Sequence, residues 1–102
     1  MQAIESTRCE GRAHAVVIRA EMMHAASRTI MAALTVAKRA PAHAHLAYRA
    51  ETYSAAILRG QGCIAWGSLL RELSEAIVAS EGPCDEIMDL YLAVYNVWEV
   101  SQ

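Results

Sequence analysis

Apolar residues recur at three- and four-residue steps along most of this chain, and the spacing predicts four helices. The first runs from about Arg12 to Arg39. Ala13, Val16, Ala20, Met23, Ile30 and Leu34 mark one stripe along it, filled in by Ser27 and Ala37. Such steps gather side chains on one side of a helix with 3.6 residues per turn. A second set, Ile18, Met22, Ala25, Thr29 and Val36, lies on another side of the same helix. Two apolar faces ask for more than one antiparallel neighbour. This helix is therefore expected either at the centre of a bundle or in an interface between subunits.

Pro41 ends this segment or begins the next, because it has no amide hydrogen to give inside a helix but is tolerated in a first turn. The second helix is expected over Ala42 to Leu58, with Leu46, Ala50, Tyr53 and Ile57 on one face. Gly60-Gln61-Gly62 supplies its stop, since glycine accepts the left-handed conformation common after a helix end. The third helix is expected over Cys63 to Ala79. Trp66, Leu70, Leu73 and Ile77 form its main stripe, broadened by Leu69 and Val78. Gly67 is expected to weaken it locally by about 1 kcal/mol relative to alanine and to permit a close helix contact.

Ser80-Glu81-Gly82-Pro83 marks the last break. The fourth helix then starts near Pro83 or Cys84, with Asp85 and Glu86 suited to its positive first turn. Ile87, Leu90, Tyr91, Val94, Val97 and Trp98 give its inward stripe. Short turns between helices two, three and four imply antiparallel neighbours. The fold class expected is all-α, a compact bundle of about four helices with a long N-terminal helix. Residues 1–102 are read as a single domain, with the first eight or so residues and the last few fraying.

Composition strengthens the helical reading. Apolar residues make up 55% of the chain, yet alanine is abundant and phenylalanine is absent. Alanine is the best helix former and lets backbones approach, and neither a sheet nor a deep ligand cavity is favoured. Disorder is excluded, because it requires low hydrophobicity with high charge. The longest apolar stretch, Ile30 to Ala37, is far short of the ~20 residues that cross a bilayer, so no membrane association is expected. No basic leader followed by an apolar run and cleavage site is seen. Cys9, Cys63 and Cys84 are too far apart for a redox or zinc pair, and their odd number fits a reducing, cytoplasmic setting.

Charge is divided unevenly between the halves. Residues 1–49 carry seven basic and three acidic side chains, a net of +4. Residues 50–102 carry two basic and eight acidic ones, a net of −6. This polarity can balance packed helices, pair antiparallel subunits, or offer a basic face to an acidic partner.

Motifs that would carry chemistry are missing. His43 and His45 stand two positions apart and so share no helical face, which makes them poor partners for one metal ion. Zinc-protease and phosphate-loop patterns are absent, and Gly60-Gln61-Gly62 follows a helix and lacks the Lys-Ser/Thr element. No catalytic, metal or cofactor residue is assigned. The expected function is a non-enzymatic protein–protein interaction, adaptor or regulatory protein that acts as a homodimer or small homo-oligomer. It would bury the Val16, Met23, Ile30 and Leu34 stripe, or the Ile18, Met22 and Val36 face, against a second copy or another protein. A nucleic-acid-binding transcriptional or RNA regulator using Arg12, Arg19, Lys38 and Arg39 is the alternative. A small helical metal- or cofactor-binding enzyme is the third reading.

Overall fold

The chain turns where Pro41 cannot carry a helix onward. The computed structural model describes residues 2–60 and 64–101, with side chains described from residue 19 onward. Helix α1 spans Gln2–Arg39, a single 3-10 turn covers Pro41–His43, and α2 spans Ala44–Leu58. Helix α3 spans Trp66–Ala79 and α4 spans Asp85–Ser101. Among the described residues the architecture is an all-α bundle of four helices with a long N-terminal helix, as the periodicity predicts.

Local chemistry explains the boundaries. Ala40 leaves helical geometry at φ −131°, immediately before the proline that opens the 3-10 turn. At the end of α2, Gly60 adopts φ +82° and its N–H donates to the Ile57 carbonyl at 2.9 Å. That closure needs a residue comfortable in the left-handed region. The expected continuation of this turn through Gln61 and Gly62 lies outside the described residues. Ser80 is extended (ψ 132°), which ends α3. Met88 N–H then donates to the Cys84 carbonyl at 2.9 Å, so α4 begins behind the proline.

Three boundary expectations change. Helix α1 begins at Gln2 rather than near Arg12, and α2 gives up Ala42 and His43 to the 3-10 turn. Helix α3 begins at Trp66 rather than Cys63, with Ile64 and Ala65 outside it. Gly67 also does not serve a close contact: a Cβ built on it would meet nothing within 4 Å.

Helix α1 lies against both α2 and α4, α4 also packs on α3, and α2 meets α3 only slightly. Leu46, Ala50 and Ile57 of α2 are buried, as are Trp66, Leu69 and Leu73 of α3. Ile87, Leu90, Val94 and Val97 complete the core from α4. These are the inward positions the spacing predicts, apart from Val78, which is 83% exposed. Its neighbour Ile77 packs against the core instead. Across the weaker α2–α3 contact, Tyr53 meets Trp66 edge-to-face at 5.6 Å. Arg49 forms an ion pair with Glu72 there and lies 5.8 Å from the Tyr53 ring centroid.

No helix among the described residues is long and apolar enough to cross a membrane. At about 1.5 Å per residue, α1 is roughly 57 Å long, close to the 61 Å extent of the whole molecule. Helices α2 and α4, at roughly 22 and 26 Å, can each lie along less than half of it.

Candidate interaction surface

Helix α1 turns its smaller side chains inward and its larger ones outward. Its buried face consists of Ala25, Ala26, Thr29, Ala33 and Val36, with Met22 partly buried against the core. Small residues bring the α2 and α4 backbones close, and Thr29 satisfies its hydroxyl by donating to the Ala25 carbonyl at 2.9 Å. On the other side, Met23 is 42% exposed, Leu34 49% and Met31 66%, while Ile30 is half-buried at the edge.

This arrangement separates the two candidate faces named from the sequence. The face of Met22 and Val36 is covered within the chain, and Val36 has no exposed surface left for a partner. Val36 thus belongs to the core of this chain. The stripe of Met23, Ile30 and Leu34 remains outward. Val16 and Ile18 lie outside the residues whose side chains are described.

The basic residues do not gather into one strip. Arg19, Lys38 and Arg39 are exposed, but successive residues on a helix diverge by about 100°, which sends Lys38 and Arg39 to different sides. Arg19 lies roughly 28 Å from Lys38 along the axis. Arg12 is outside the described side chains. No group of three or more His, Cys, Asp or Glu side chains suited to a metal ion occurs among the described residues. His45 is exposed, and His43 stands before α2 without a side-chain cap hydrogen bond.

Sequence reasoning missed the outer face of α4. Met88, Leu92 and Tyr95 are 45%, 61% and 41% exposed and form a second outward apolar row. Their steps of four and three residues carry a signal in the sequence, beneath the stronger inward stripe of the same helix. Tyr95 is held between Tyr91, at 6.4 Å, and Trp98, at 5.6 Å. Between α1 and α4 runs an open groove of about 460 Å³, lined by Arg28 and Ala32 on one side and Asp89, Leu92 and Asn96 on the other. It places an exposed part of α1 and an exposed part of α4 on the same side of the bundle.

Comparison with known protein families, curated proteins and solved structures finds no match to this chain.

Proposed function

We propose that the protein is a non-enzymatic interaction module that works by self-association, as a homodimer or small homo-oligomer, through the outward face of α1. The observation that carries this reading is the exposure of Met23, Met31 and Leu34 on a helix whose opposite face is already occupied by α2 and α4. Clustered apolar surface gains roughly 25 cal/mol for each Å² it removes from water, and such patches mark contact sites more often than single exposed residues do. Basic side chains around the stripe would orient the contact by charge. A free Cys84 and an odd number of cysteines agree with a cytoplasmic, reducing setting.

Sedimentation over a wide concentration range tests the reading. The wild-type chain is expected to be larger than 11.1 kDa, and Met31→Glu/Leu34→Glu to shift it toward the monomer while its helical circular dichroism is retained. A monomer at every concentration would sink the proposal.

A further inference from the structure

We infer that the outward face of α1 docks onto the outward face of α4 in a second copy of this chain. This rests on the self-association proposed above and adds its geometry. Two rows carry it. On α1, Arg28, Met31, Leu34 and Lys38 follow one another at steps of three and four residues, with apolar side chains between two bases. On α4, Asp85, Met88, Leu92, Tyr95 and Glu99 alternate steps of three and four, with apolar side chains between two acids. Every residue in both rows is exposed. None of their four terminal charges enters a salt bridge among the described residues.

The rows match in pattern and oppose in sign. From residue 19 to its end, α1 carries Arg19, Arg28, Lys38 and Arg39 against Glu21. Helix α4 carries Asp85, Glu86, Asp89 and Glu99 and no base. Stacking α1 on α1, or α4 on α4, would oppose like charges. Stacking α1 on α4 sets a basic helix against an acidic one and brings apolar side chains to each other.

The topology lets both contacts form at once. Helices α1 and α4 are neighbours, and Arg28 and Leu92 line the groove between them. Arg28 and Leu92 therefore stand level with each other on one side of the molecule. A two-fold axis running along the bundle sets each α1 over the other copy's α4, giving two equivalent contacts in a closed, isologous dimer. Leu92, the most exposed apolar side chain of its row, then projects toward the facing groove.

A charge exchange tests this geometry. Arg28→Glu/Lys38→Glu makes the α1 row acidic, and Asp85→Lys/Glu99→Lys makes the α4 row basic. Each variant alone is expected to self-associate roughly tenfold or more weakly than wild type at low salt, because both contacts become repulsive. Mixed in equal amounts, they are expected to form a heterodimer tighter than either homodimer, since both of its contacts are again complementary. Circular dichroism melting checks that each variant folds. Glu99→Lys alone, a change that suits the negative end of a helix, serves as a gentler variant and is expected to weaken association in the same direction. If the α4 variants associate like wild type, α4 is not the mate and this inference falls while self-association stands. If the mixture restores nothing, the two rows do not face each other. A wild-type monomer would overturn both readings.

Discussion

Two buried hydroxyls at the interior of the bundle differ in their fate. Thr29 bonds to the carbonyl one turn earlier in α1, which removes most of the cost of burying it. Ser54 is as deeply buried in α2, and its Oγ has no hydrogen-bond partner among the described residues. An unmet polar group in an apolar interior costs about 1–3 kcal/mol. Ser54→Ala is therefore expected to raise stability by about 1 kcal/mol, seen as a higher urea midpoint with an unchanged slope. Val36 teaches a related lesson about candidate sites. Its side chain was as eligible for an interface as that of Leu34, and only the choice of inward face separates them. That choice depends on which neighbours pack where, which no single residue encodes.

Among the elements, α1 sets the limit of what could be read in advance. Helices α2, α3 and α4 each have one dominant apolar stripe bordered by turn signals, so Leu46, Leu73 and Val94 are recognisable as core from spacing alone. Helix α1 has two, and weighing them by bulk points to the wrong one: its core face is mostly alanine, while Met23, Met31 and Leu34 face outward. Side-chain size there is dictated by how near the neighbouring backbones come. Enlarging an inward alanine should therefore do more harm than truncating an outward leucine. Ala33→Leu is expected to cost about 1–3 kcal/mol through overpacking, whereas Leu34→Ala should stay within about 0.5 kcal/mol in the monomer. Denaturant titration at low protein concentration compares the two. The outer row of α4 was missed for the same reason in reverse, because a strong inward stripe hides a weaker one on the same helix.

At the scale of the whole molecule, the four helices form two hairpins. Helices α1 and α2 are linked by Ala40 and one 3-10 turn, and α3 and α4 by residues 80–84. The hairpins meet mainly where α4 lies on α1, while the α2–α3 contact is slight. The partners of α1 thus arrive from very different distances along the chain, and this gives the fold an order in time. Pairing α1 with α2 closes a short loop, whereas seating α4 on α1 must first gather everything between them, at a larger entropic cost. Local pairing should accordingly precede the nonlocal step. In stopped-flow experiments, Leu46→Ala in α2 is expected to slow refolding, while Val97→Ala near the end of α4 should chiefly hasten unfolding. Helix α4 would then be the last to seat and the first to leave, and the lifetime of the native state would be set by its grip on α1.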